Sequence, residues 1–465
     1  MSDAAETLEE LAAELGDGRM TSVKLVERSL ERVARLDAWL NSFVALDEEG
    51  ASAAAKESDA RRESGEAKSG LDGVPISIKD NVHVAGLPST WGSRALASFK
   101  PARDELPVAR LRDAGAIVLG KTNVPEFTLE GYTRNELFGV TRNPWNLDLT
   151  PGGSTGGGAA SVAAGFVPAA IGTDGGGSIR RPACHTGLVG FKPSIGRWPR
   201  IDGFPAILTD FETVGTLTRT VADALLLDAL MKGSDSRDRR SLSASAPPWP
   251  NKRLRILYVA QFGAAPVDPE VDAHVAAFAG RLAGEGHEVH KSGVFFDLDD
   301  AARIWHVVSR AGIAWLLRQN PAYEDQAGVS VRAMAADGRK ITGADYIGAL
   351  ERVSALRRLC AELFERVNLV LTPTAAALPW AAETPYPDRI ADRPAGPRDH
   401  AIFTGWVNIS GVPAISLPIG VSDSGLPIGA QLSAGFGGDD SLLAFARKIS
   451  RVIPPPPLPR LEASP

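Results

Sequence analysis

The amino-acid sequence predicts an α/β fold, because segments of helical period and short apolar, strand-like runs alternate through most of its length. Two further observations agree. Several apolar runs end in glycine- or proline-rich turns, and 465 residues suffice for one large core or two to three ordinary ones.

Residues 1–70 read as a helical part. Leu8, Leu11 and Leu15 share one helix face, as do Val26, Leu30 and Val33, and Thr21 or Ser22 suits the N-cap of the second helix. Residues 51–67, rich in alanine and charge, read as an exposed helix. Residues 73–82 read as a buried strand, with Ile76 and Ile78 facing one way and Ser77 and Lys79 the other. The local pattern makes Lys79 an edge lysine reaching solvent, since lysine is seldom fully buried. Residues 108–120 read as helix, then strand. Gly115 to Thr122 also fits GxxxxGK[ST]. Its intervening residues are all apolar and strand-like, however, and Pro125 follows soon, so no phosphate loop is expected.

Residues 142–151 form a loop by their prolines and asparagines. Residues 156–165 are almost wholly Gly, Ala, Ser and Val, which suits a closely packed helix, and 167–172 read as a short strand. Residues 233–251 read as a linker or excursion, 254–259 as a strand and 271–284 as a helix. Residues 287–290 start another strand, whose two histidines have no wider ligand cluster around them. Residues 301–317 and 346–367 read as helices, and 369–371 as a strand ending in Thr372-Pro373-Thr374. The proline-rich stretch 375–398 is a candidate pocket wall. Strands at 412–420 and 428–432, a closing helix at 441–452 and a polyproline-like tail at 454–457 complete the chain.

Composition narrows the function classes. A net charge of −6 gives no nucleic-acid footprint, and no apolar run reaches membrane-spanning length. The acidic start lacks a secretory pattern, and two cysteines, Cys184 and Cys360, make no disulfide framework, so a cytoplasmic location is expected. Asn408-Ile409-Ser410 matches a glycosylation sequon that such a location leaves unused.

The chemistry is expected where Ser154 and Ser178 each lie among glycines. Serine needs a base to take its proton. Histidine is the usual one, and only His185 is near either serine in sequence. Gly152 to Gly156 fits the G-x-S-x-G elbow, but a loop precedes it where that motif has a strand. A lysine made neutral by burial is the other base, and Lys79 is the candidate. Gly175, Gly176 and Gly177 before Ser178 let several N–H groups meet at one spot, as an oxyanion hole requires. The same glycines serve equally well as tight turns around a packed helix.

The sequence resembles the amidase signature family. The resemblance rests on ordered pieces: Gly73-Val-Pro-Ile-Ser-Ile-Lys-Asp-Asn81, Gly120-Lys-Thr-Asn123, Pro151-Gly-Gly-Ser-Thr-Gly-Gly157, Gly172-Thr-Asp-Gly-Gly-Gly-Ser-Ile-Arg180 and Gly190-Phe-Lys-Pro193. Leu371-Thr-Pro-Thr374, Asn408, Gly411-Val-Pro-Ala414 and Gly425-Leu-Pro-Ile-Gly429 follow. It implies one amidase-signature domain over 1–465, a mixed sheet covered by helices. Its parts are helices at 1–70, a signature core at 73–227, the excursion at 233–255, and the remainder with the substrate pocket at 256–465.

By position, Lys79 is similar to the family's catalytic lysine, Ser154 to its bridging serine on a cis peptide, and Ser178 to its nucleophile. The N–H groups of Gly175, Gly176, Gly177 and Ser178 correspond to the oxyanion donors. The implied activity is hydrolysis of a small carboxylic amide through an acyl-enzyme, with no metal or organic cofactor. The alternatives are the glutaminase subunit of a tRNA-dependent amidotransferase, a Ser-His-Asp esterase and a binding protein that has lost catalysis. Gly131 to Gly139 and Arg181 look more like the free amidases. Expected partners are a small-molecule amide, no nucleic acid and no membrane; oligomeric state stays open, a homodimer included.

Three departures stand out: Thr155 for a frequent serine, Thr216 where proline is common, and Cys184-His185-Thr186 where small-Phe-Cys or small-Phe-Thr is common. Cys184 reads as a buried small residue. Specificity is expected in 305–348, in 375–398 and near Trp406, where the signature is silent.

Overall fold

The computed structural model describes residues 6–242, 246–249, 253–453, 459 and 461. An 11-stranded sheet runs edge to edge through Phe43–Leu46, Ile117–Thr122, Pro75–Lys79, Ala169–Asp174, Thr213–Thr218, Val189–Lys192, Ala414–Val421, Pro427–Ala434, Leu369–Pro373, Arg255–Tyr258 and Glu288–Lys291. Pro75–Lys79 and Arg255–Tyr258 each pair in parallel with both neighbours, and the other pairings are antiparallel. The sheet is therefore mixed, and it draws strands from both halves of the chain.

Helices cover both faces. On one, Leu8, Leu11 and Leu15 join Ile76, Ile78 and Ile171 in an apolar cluster. On the other, Val26 and Val33 meet Leu119, Ala159, Val162 and Ala170. A third cluster around Phe262, Ile313, Phe403 and Val407 lies in the C-terminal half. A strand covered on both sides has no solvent face, so all of Pro75–Lys79 is buried.

The helix starts follow the chemistry of the caps. Thr7 and Glu10 form a capping box for Leu8–Gly16, and Thr21 caps Ser22–Leu40 by accepting from the Lys24 N–H. The helix expected at 51–67 is Glu48–Glu63, capped by Asp47 and burying Ala51, Ala55 and Ser58, so it is only partly exposed. The sequence does not announce the edge strand Phe43–Leu46 or the helices Pro321–Gln326 and Val329–Gly338. The expected excursion contains a short 3₁₀ turn at Arg239–Leu242; residues 243–245 and 250–252, and the tail 454–457, lie outside the described residues. Among the described residues no helix is long and apolar enough to cross a membrane.

Candidate active site

Lys79 closes the strand Pro75–Lys79, and its side chain is wholly buried. The expectation that it reaches solvent is corrected, because the covering helix Gly156–Ala163 and the neighbouring strand Ala169–Asp174 enclose it. Its Nζ lies 2.8 Å from Ser154 Oγ, 2.9 Å from Thr173 Oγ1 and 3.1 Å from the Thr173 carbonyl oxygen. Burial pushes this amine down to about 7. The Glu212 and Asp174 carboxylates oppose the shift, and the Arg200 and Arg181 guanidinium groups add to it. A neutral amine has two hydrogens for the Thr173 oxygens and a lone pair for the Ser154 O–H. The three contacts thus fit the base form as well as the ammonium.

Ser154 lies in the loop between Pro151 and the helix Gly156–Ala163, and the Gly153–Ser154 peptide is cis, as the resemblance implies. A side chain at Gly153 would collide with the Tyr132 carbonyl oxygen, so this turn requires glycine. The Thr155 N–H donates to the Ser178 carbonyl oxygen at 3.1 Å, and its Oγ1 donates to the Thr173 carbonyl at 3.2 Å. These bonds hold the two glycine loops side by side, and the departure to threonine at 155 is accommodated within them.

Ser178 follows the three glycines and is 6% exposed. Among the described residues its Oγ makes no hydrogen bond. Lys79 and Ser154 are therefore joined directly, and Ser178 is joined to them through the backbone bond at Thr155. Catalytic hydrogen bonds commonly tighten only once substrate is bound.

Asp174 organises the glycine loop, a role the sequence reading does not assign. Its carboxylate accepts from the N–H groups of Gly177 at 2.7 Å and Ile179 at 3.1 Å. It also accepts from Arg180 Nη2 at 2.8 Å and Asn408 Nδ2 at 2.9 Å. Burial acts to raise its pKa, but the Arg180 guanidinium and these donors outweigh that and hold the carboxyl well below the usual range. Arg180 is itself buried and also donates to Asn408 Oδ1 and Gln431 Oε1 at 2.6 Å each. The sequence holds the clue in an acid directly before the glycine run and an arginine directly after Ile179. Asn408 is fully buried in this network, so the sequon there offers no accessible acceptor.

This network revises the oxyanion expectation. The Gly177 N–H is committed to Asp174, with Gly177 at φ +110° and packed on Thr404. The N–H groups of Gly175, Gly176 and Ser178 have no acceptor among the described residues.

Two arginines border the loop. Arg181 Nη2 donates to the Gly153 carbonyl at 3.3 Å and Nε to the Gly177 carbonyl at 3.4 Å, and Nη1 lies 2.8 Å from His400 Nε2. A methyl carbon placed at Gly176 would lie 3.1 Å from the Trp305 ring and 3.6 Å from Arg398 Nη2. Trp305 and Arg398 belong to the stretches expected to set specificity. Trp406 instead packs against Phe295 and Phe296.

The remaining sequence candidates are structural. Lys121 is buried in its strand, and its Nζ donates to the carbonyls of Asp80, Val82 and Pro88 and to Ser89 Oγ, which rules out a phosphate loop there. Burial pushes the Cys184 thiol up to about 12, which makes it inert. Burial, with Arg181 nearby, pushes His185 down to about 3, and neither ring nitrogen has a partner among the described residues. His287 accepts the Leu254 N–H and packs on Phe445.

Comparison with known proteins identifies the family. The family profile described as Amidase matches residues 24–443. A glutamyl-tRNA(Gln) amidotransferase subunit from Synechococcus sp. (strain CC9605) is 35% identical over 94% of each chain. The crystal structure of a bacterial aryl acylamidase of the amidase signature family superposes with a TM-score of 0.87 at 28% identity, over 96% of each chain. The corresponding glutamyl-tRNA(Gln) amidotransferase subunit from Thermotoga maritima superposes at 0.81 and 26% identity over 98% of each chain. With a profile match across nearly its whole length and the fold shared end to end, this chain belongs to the amidase family of amidase signature enzymes, hydrolases acting on amide C–N bonds.

Proposed function

We propose that the chain hydrolyses the C–N bond of a small carboxylic amide through an acyl-enzyme on Ser178, with Ser154 and Lys79 as its proton relay. The observation that carries this reading is the buried Lys79 amine, brought to about 7 and set 2.8 Å from Ser154 Oγ. Neutral Lys79 takes the Ser154 proton as Ser154 takes that of Ser178. Ser178 Oγ bonds to the amide carbon, and the carbonyl electron pair moves onto oxygen, where the Gly175, Gly176 and Ser178 N–H groups stabilise it. Ser154 then returns a proton to the nitrogen, the C–N bond breaks and the amine leaves. Water attacks the ester by the same relay and releases the acid. His185, pushed down to about 3, is too weak a base to replace Lys79.

A second reading is favoured by the amidotransferase relative at 35% identity: a glutaminase subunit of a tRNA-dependent amidotransferase. It brings in a tRNA-linked reaction, so the expectation of no nucleic-acid partner lacks support. Likeness in sequence favours the second reading, 35% identity against 28% to the aryl acylamidase, and likeness in fold favours the first, a TM-score of 0.87 against 0.81. The test is amine or ammonia release by the purified chain alone, over aliphatic, aryl and amino-acid amides, with Ser178→Ala alongside. Release from several amides that vanishes in the variant supports the first reading. Release confined to glutamine supports the second, and release that persists in Ser178→Ala refutes both.

A further inference from the structure

We infer that Arg398 binds a substrate carboxylate, and that among primary amides the preferred substrate carries a carboxylate on its acyl half. This rests on Ser178 being the nucleophile. The Arg398 guanidinium stacks over the Trp305 ring, 5.0 Å from its centroid. Trp305 packs edge-on against Phe211 and closely against Gly405, so the platform is fixed. Platform and guanidinium both meet the glycine loop at Gly176, 3.1 and 3.6 Å from a carbon placed there. Gly176 is one of the three loop positions whose N–H groups are unclaimed among the described residues.

Arg398 is an exposed residue whose guanidinium, laid on Trp305, is partly withdrawn from water and makes no hydrogen bond or ion pair among the described residues. Its neighbours are committed elsewhere. Arg181 spends its donors on the two loop carbonyls and faces His400. Glu130, an acid within electrostatic range of Arg398, accepts from Ser330 Oγ at 2.9 Å. Arg310 lies 3.6 Å from Asp337. Beside the glycine loop, therefore, stands a guanidinium with unclaimed donors next to a second, buried cation, with no acid in contact among the described residues. A planar guanidinium held on an aromatic face is pre-organised for bidentate binding of a carboxylate. Taking primary amides as probes makes ammonia the leaving group, so that the matching charge sits on the acyl half.

The test uses the full chain and two primary amides of similar size, succinamate and butyramide. The wild type is expected to prefer succinamate in kcat/KM. Arg398→Met is expected to lower the succinamate-to-butyramide ratio about tenfold, the scale of one charge-assisted contact, and Arg398→Lys to keep part of it. A ratio that Arg398→Met leaves within twofold overturns the inference. Loss of ammonia release in Ser178→Ala keeps the underlying reading standing in that case. Binding of succinamate to the Ser178→Ala chain, measured by calorimetry, removes turnover from the comparison. Binding about tenfold weaker on adding Arg398→Met supports the inference, whereas equal binding, or none in either chain, overturns it.

Discussion

Lys79 Nζ lies 2.8 Å from Ser154 Oγ, and both side chains are shut away from solvent. Burial makes the lysine a base, and the hydroxyl beside it is where that base acts. This pair, and the network that holds the glycine loop beside it, have measurable consequences for rate and stability.

The rate should depend on pH with an inflection near 7. Burial lowers the Lys79 pKa from 10.5 to about 7, so the amine is an ammonium below that pH and a free base above it. For a neutral amide, kcat/KM should rise as pH increases through about 7 and then level off. Glu212 favours the ammonium, so Glu212→Gln should move the inflection to lower pH. A profile measured from pH 5 to 9 checks both, and a flat one contradicts the assignment of Lys79.

Lys79 and Ser154 should behave as one unit. Lys79→Ala and Ser154→Ala should each lower kcat by about 10²–10⁴, with a smaller change in KM. The double variant should be little worse than either single one, because groups that act together are non-additive. Steady-state kinetics on all three variants decides the matter; independent, multiplying losses would break the relay.

Asp174 should be needed for stability as well as rate. Asp174→Ala leaves the Arg180 guanidinium buried and unpaired and releases the Gly177 N–H. Breaking such a buried pair costs about 3–5 kcal/mol. Urea unfolding should show that loss, and activity should fall with it as the loop relaxes.

His185→Phe should stabilise the chain. Both ring nitrogens are buried without partners among the described residues, and the ring meets Trp380 edge-on at 5.6 Å. Phenylalanine keeps the ring contact and removes the unpaired polar atoms, a gain of about 1 kcal/mol. A raised melting temperature with activity retained would also exclude His185 as a hidden base.

Much of this was legible in the sequence, for local reasons. The alternation of Ile76 and Ile78 with Ser77 and Lys79 marks the strand, and Leu8, Leu11 and Leu15 mark a helix face. What escaped depends on distant partners. Lys79 looks exposed locally because its cover, Gly156–Ala163, comes much later in the chain. The Gly177 N–H looks free until Asp174 folds back on it, and Asp174 is oriented by Asn408 and Arg180 across the molecule. Phe43–Leu46 is too short and too half-buried to show a period. The pairing of Trp305 with Arg398 joins two separate stretches that the sequence marks only as places where specificity is expected.

Covalent trapping decides whether Ser178 is the nucleophile and Lys79 its base. The full chain is incubated with a slowly hydrolysed amide or a sulfonyl fluoride, its intact mass is measured and the modified peptide is mapped. One added acyl or sulfonyl group is expected on Ser178, absent in Ser178→Ala and formed much more slowly in Lys79→Ala. Modification of another residue, or an adduct that persists in Ser178→Ala, would contradict the acyl-enzyme mechanism.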